Sequence, residues 1–150
     1  MTRVLRPSDQ AAIVAAINPA SQGVGSVSSG WVDMSKFEKL MAIVQAGAIG
    51  ASATLDAKLE QATSSGGAGV KDITGKAITQ LTKAGTDDNK QAIVNLAAEE
   101  LDVNNGFRYV RLTLTVGTAA TLVGGLVLGF NARYAPGSAS DASSVDEIVG

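Results

Sequence analysis

From Trp31 onward, apolar and polar positions alternate with a period of two. Ala53, Leu55, Ala57 and Leu59 alternate with Thr54, Asp56, Lys58 and Glu60, as a strand with one wet face requires. Val110, Leu112, Leu114 and Val116 alternate with Arg111, Thr113 and Thr115 in the same way. Leu126, Leu128 and Phe130 extend the pattern, with Gly125 and Gly129 between them. Read this way, Leu55, Leu59, Leu112, Leu114, Leu126 and Leu128 belong to a core, while Asp56, Lys58 and Thr113 face water or a partner. Shorter strands are predicted at Leu40–Gln45, Ala77–Leu81 and Ala92–Leu96, although Ala and Glu within Gln91–Leu101 also favour helix.

Turn chemistry separates these runs. Thr63–Gly69 and Lys83–Asn89 read as loops, and Gly117–Ala120 joins the last two long strands. Asn104-Asn105-Gly106 is a tight-turn signal, because Asn and Gly tolerate positive φ. Six or seven strands at this spacing predict an all-β domain, a β-sandwich or jelly-roll-like fold, over residues 30–136. Residues 1–29 differ. Ser8-Asp9-Gln10 before Ala11–Ile17 can cap a short helix that Asn18-Pro19 would end, and Ser21–Ser26 resembles a linker. This stretch is read as an N-terminal arm, with a helix packed on the domain's own core as the alternative. Residues 137–150, rich in Ser, Ala and Asp, are read as a C-terminal tail or docking strand.

Composition narrows the function. Apolar residues make up 45% of the 150, but aromatics only 4%, so the core material is mostly small. Small side chains bury little area each at ~25 cal/mol per Å², which favours added stability from neighbouring chains. Net charge is −2 and the 12 Lys and Arg are scattered, so no basic stripe for nucleic acid is present. The chain has neither Cys nor His. That removes disulfides, thiol nucleophiles, Cys/His zinc sites and Ser-His or Cys-His pairs. Arg3 and Arg6 before Ala11–Ile17 only faintly match a secretory signal, since Pro7–Gln10 interrupts it. Ala119–Phe130 is uncharged but too short for a bilayer, which needs ~20 residues.

The remaining motifs do not complete a site. Gly75-Lys76 lacks the first glycine and the Ser/Thr of a phosphate loop: Val70 and Ala77 stand there. Asp87-Asp88-Asn89 lacks the spaced acids of a calcium loop and reads as a hydrated turn. Glu99, Glu100 and Asp102 could pair for glycoside hydrolysis, but neighbouring acids on a strand point to opposite faces. Trp31 reads as a core anchor, with an interface anchor as the alternative. Phe107 and Tyr109 fall on one face and Arg108 on the other, with Arg111 joining the aromatics if no bulge intervenes. No catalytic, cofactor-binding or metal-binding residue is therefore assigned, and no cofactor is expected.

Gly30-Trp31-Val32-Asp33-Met34-Ser35-Lys36-Phe37 is similar to an opening found in small structural proteins encoded with the head and tail genes of tailed bacteriophages and prophages. Leu55–Ala62, Asp72–Ile78 and Phe107–Thr113 resemble later stretches of the same pattern, so the likeness spans roughly Gly30–Pro136. It implies a non-enzymatic virion component, a capsid decoration or cement protein made in the host cytoplasm and carried on the particle surface. Its implied partners are copies of itself and a major capsid or other virion protein, without direct nucleic-acid or membrane contact. A neck, tail or fibre-attachment component remains open. So does a different class, a secreted carbohydrate- or surface-binding β-sandwich.

Overall fold

The computed structural model describes residues 6–134 and 136–150. After a four-residue helix, α1 (Pro7–Gln10), come ten strands: β1 (Ala11–Gln22), β2 (Gly25–Ser28), β3 (Val32–Asp33), β4 (Phe37–Ala46), β5 (Thr54–Ala62), β6 (Lys71–Ala77), β7 (Leu81–Thr82), β8 (Gln91–Ala97), β9 (Tyr109–Gly117) and β10 (Thr121–Ala132). Sheet A has the order β1-β10-β4-β8 and sheet B the order β2-β9-β5-β6; β3 also pairs with β9, and β7 with β5. Every pairing is antiparallel.

Four of these ten are the halves of two interrupted strands. β2 and β3 both run along β9, interrupted where the buried Ser29 Oγ accepts the Leu112 N–H at 3.0 Å. β6 and β7 both run along β5. Merging each pair leaves two four-stranded sheets in which the first strand pairs with the last, the second with the penultimate, and so on inward. That nesting is a jelly roll.

The core lies between the sheets. Leu55, Leu59, Leu112 and Leu114 from sheet B meet Leu40, Val44, Val123 and Val127 from sheet A, all essentially sealed from solvent. β5 and β9 behave as their alternation predicts, in one unbroken register from Thr54↔Gly117 to Ala62↔Tyr109.

The structure corrects several expectations. Ala11–Ile17 is not helix but strand, and residues 11–28 lie inside the sandwich rather than in an arm beyond it. Bulges between Ile13 and Ala15 and between Ile17 and Ala20 switch the inward side, so Ala12, Ala15 and Ile17 are all buried. Pro19 sits at the second bulge of an edge strand, a place where a missing N–H is tolerated. The tail folds back on its own chain: Ala142 N–H donates to Ile13 O at 2.7 Å, and Asp141 Oδ1 accepts the Ile13 N–H at 2.8 Å. Ala77–Leu81 is not one strand; it spans the gap between β6 and β7. Ala92–Leu96 lies within β8, and the helical tendency appears only as a short 3₁₀ turn at Ala98–Glu100. Arg3 lies outside the described residues.

Strand β10 is the most informative correction. Leu126 is 40% exposed and Leu128 partly so, while Val123, Gly125, Val127 and Gly129 point inward. A side-chain carbon at Gly125 would come within 2.8 Å of Leu112 Cδ2, and one at Gly129 within 2.7 Å of the Phe37 ring. Large side chains from elsewhere fill the inner positions, so glycine must stand there and the leucines turn outward.

Candidate functional site

The two sheets present chemically opposite outer faces. On sheet A, the register sets Ala16, Leu126, Ile43 and Ile93 side by side across all four strands. The next row is Ile13, Leu128, Met41 and Asn95. Ile93 is 58% and Leu122 46% exposed, and Gln45, Gln91 and Asn95 supply uncharged polarity. An open groove of about 910 Å³ runs along this face, between the Asn18–Pro19 corner, Leu122, Leu126 and tail residue Val145.

On sheet B the corresponding rows are polar. Ser28, Thr113 and Lys58 stand in register, as do Ser26, Thr115 and Asp56, and as do Arg111, Glu60 and Asp72. Glu60 is the hub, accepting from Arg111 Nε at 3.0 Å and from the Thr113 hydroxyl. Lys58 Nζ bridges Asp72 at 2.7 Å and Glu60 at 3.8 Å. The Asp72 contact, foremost, raises the Lys58 pKa. Thr113, expected in water or against a partner, is instead buried under this network, held by Glu60 and by Ser28 at 2.8 Å.

Most of the charged motif residues singled out are engaged in holding loops. Lys76 pairs with Glu100 at 2.8 Å. Asp87 accepts from Lys90 and the Thr82 N–H, and Asp88 from Lys83 and the Ile49 N–H. Asp102 binds Lys71 at 2.6 Å and both its oxygens accept from Asn105. The lysine partners, first among the causes, hold Asp87, Asp88, Glu100 and Asp102 below the usual carboxylate range. Glu99 is exposed. Among the described residues, no group of three or more Asp and Glu is placed to hold a metal ion.

The aromatic faces are occupied as well. Trp31 is only partly buried, not the core anchor expected. The Arg111 guanidinium lies 4.7 Å from its ring centroid, and the Gly67 backbone packs so close that an added carbon would meet the indole at 2.9–3.2 Å. Lys71 lies 4.2 Å from the centroid of Phe107. Arg108 lies over Tyr109 and donates to its hydroxyl at 3.0 Å, because residue 108 precedes β9 and escapes strand alternation.

Fold and surfaces together define a jelly-roll protein with one apolar and one ion-paired outer face. No protein-family model matches the chain, and no curated protein matches it. Among solved structures it is similar to a chain from broad bean stain virus, with 9% identity over 88% of this chain and 92% of that one, at a TM-score of 0.49. It is also similar to a chain from infectious bursal disease virus strain Gx, with 12% identity over 85% of this chain and 33% of that one, at a TM-score of 0.45. The jelly-roll assignment rests on the strand pairing itself.

Proposed function

We propose that this chain is a structural subunit of a virus particle, a capsid decoration or cement protein that seats the outer face of sheet A on the capsid shell and acts without catalysis. The observation that carries the reading is the uncharged row Ala16, Leu126, Ile43 and Ile93, which crosses a whole sheet on its solvent side. Contiguous apolar surface of this kind marks a protein contact, since covering it gains ~25 cal/mol per Å². The resemblance of Gly30–Phe37 and the later stretches to phage head-and-tail proteins supplies the particle. Jelly rolls serve capsids and lectins alike, so the fold alone does not choose. Against the carbohydrate-binding alternative, Trp31, Phe107 and Tyr109 each have a cation over the ring where a sugar would stack.

The test is to add the purified chain to capsids that lack it and image the particles. Lattice-spaced density on the head is expected, and a double substitution Ile43→Lys with Leu126→Lys should lower occupancy by about an order of magnitude or more. Lys58→Gln, on sheet B, should leave it unchanged. Full occupancy by the sheet A double variant refutes the seating proposed here, and density only at the neck or tail favours the other virion role.

A further inference from the structure

Sheet edges are where a β protein is open to pairing, because an edge strand presents unpaired N–H and C=O groups. Three of the four edges here are guarded. β1 has two bulges, Pro19, and a tail that occupies both peptide groups of Ile13. β2 is only four residues long. β6 carries Lys71, Asp72 and Lys76 and an irregular register. β8 has none of these devices: Gln91–Ala97 contains no charge and no proline, and its register with β4 runs unbroken from Lys39↔Ala97 to Gln45↔Gln91.

The hydrogen-bond parity of β8 follows from its neighbour. Ala46 N–H donates to Lys90 O at 2.9 Å, in line with the β4–β8 register, so even-numbered residues of β8 make the ladder with β4. Gln91, Ile93, Asn95 and Ala97 therefore turn their peptide groups outward. The Ala97 N–H is taken by Glu100 Oε1 at 2.8 Å. Those of Gln91, Ile93 and Asn95 have no partner among the described residues.

We propose that two copies of this chain join β8 to β8, antiparallel, about a two-fold axis passing between their Ile93 residues. That register sets Ile93 against Ile93 and Gln91 against Asn95, and it satisfies every open donor and acceptor of those three residues on both copies. Moving the axis to Val94 would instead set Gln91 against Ala97, whose N–H is already used. No like charges meet, and the half-exposed Ile93 covers its own mate. The row Ala16–Leu126–Ile43–Ile93 continues into its symmetry copy, giving one apolar face eight strands wide. The pairing depends on the edge and not on the virion reading.

The chain has no native cysteine, so single-cysteine variants report the register directly. Directly opposed residues in a hydrogen-bonded antiparallel pair lie ~5.5 Å apart at Cα, within disulfide reach. Under mild oxidation Ile93→Cys should cross-link to a dimer and Asn95→Cys should not. By sedimentation the wild-type chain should be dimeric. Ile93→Lys should weaken association tenfold or more with an unchanged far-ultraviolet circular dichroism spectrum, while Leu122→Lys, on the same face but away from the edge, should not. A wild-type chain that is monomeric at roughly 100 µM, where even micromolar contacts saturate, overturns the proposal. So does cross-linking by Asn95→Cys in place of Ile93→Cys. A monomer that still decorates capsids removes the pairing and leaves the proposed function standing.

Discussion

The outer faces of sheets A and B are made by strands of the same pleat around one shared core, yet they handle water differently. Sheet B closes its surface from within: Glu60 gathers Arg111, Thr113 and Lys58 so tightly that Thr113 is almost wholly covered. Sheet A leaves Ile93, Leu122 and Leu126 substantially exposed, with the tail at Val145 bordering the groove beside the two leucines. A face whose polar groups are mutually satisfied has little to gain from a partner. A face of uncharged aliphatics gains whatever area a partner removes from water.

The largest effect that would sharpen this contrast lies under both faces. Leu112→Ala should cost ~2–5 kcal/mol of unfolding free energy by denaturant titration. Gly125→Ala should cost about 1–3 kcal/mol by overpacking against the same Leu112. The double variant should cost clearly less than the sum, because the new methyl enters the space the leucine vacates. Strict additivity would show that the glycine does not face Leu112.

Next in size is Glu60→Ala, which strands Arg111 and Thr113 and should cost about 1–3 kcal/mol. The matching change on sheet A, Leu126→Gln, should stay within ~0.5 kcal/mol in the free chain. Equal losses at the two positions would erase the distinction between the faces. The smallest effect is in acid. Asp87, Asp88, Asp102 and Glu100 are held below their ordinary values of 3.8 and 4.5, so their contribution is complete above those values and is lost as pH falls through the lowered ones. Melting temperature should be flat from pH 8 to pH 5 and fall only below about 4. A loss beginning near pH 6 would contradict this assignment.

Which strands were legible in the chain depends on whether alternation survives. β5 and β9 have no bulge, and over Thr54–Glu60 and Val110–Val116 polar outer residues alternate with apolar inner ones, so period two identified them and their buried leucines. β1 hid because Ala11–Ile17 is apolar throughout and the bulge between Ile13 and Ala15 reverses its inward side, so the run shows no alternation and mimics a short helix. β10 was recognised as a strand but read inside out. Both of its faces are apolar, so hydrophobicity could not orient it, and the inner face is the one with glycines because Leu112 and Phe37 reach across to fill it. The same ambiguity hid the candidate face: no motif marks it, and only the register brings residues 16, 43, 93 and 126 into one row.

The pairing of Ala12 with Gly129 has a consequence in time. Translation proceeds at ~5–20 residues per second, so the partner of β1 emerges roughly 6–25 s after β1 itself. Throughout that interval a charge-free apolar strand has no mate, and jelly rolls, rich in such distant pairings, close slowly once synthesis ends. The bulges belong to the β1–β10 pair and form only with it, so in this interval Pro19, which has no N–H to donate, is what interrupts the edge β1 would offer to the same strand on a neighbouring nascent chain. The proline limits pairing while the strand waits, and the bulges shape the edge once β10 has closed on it.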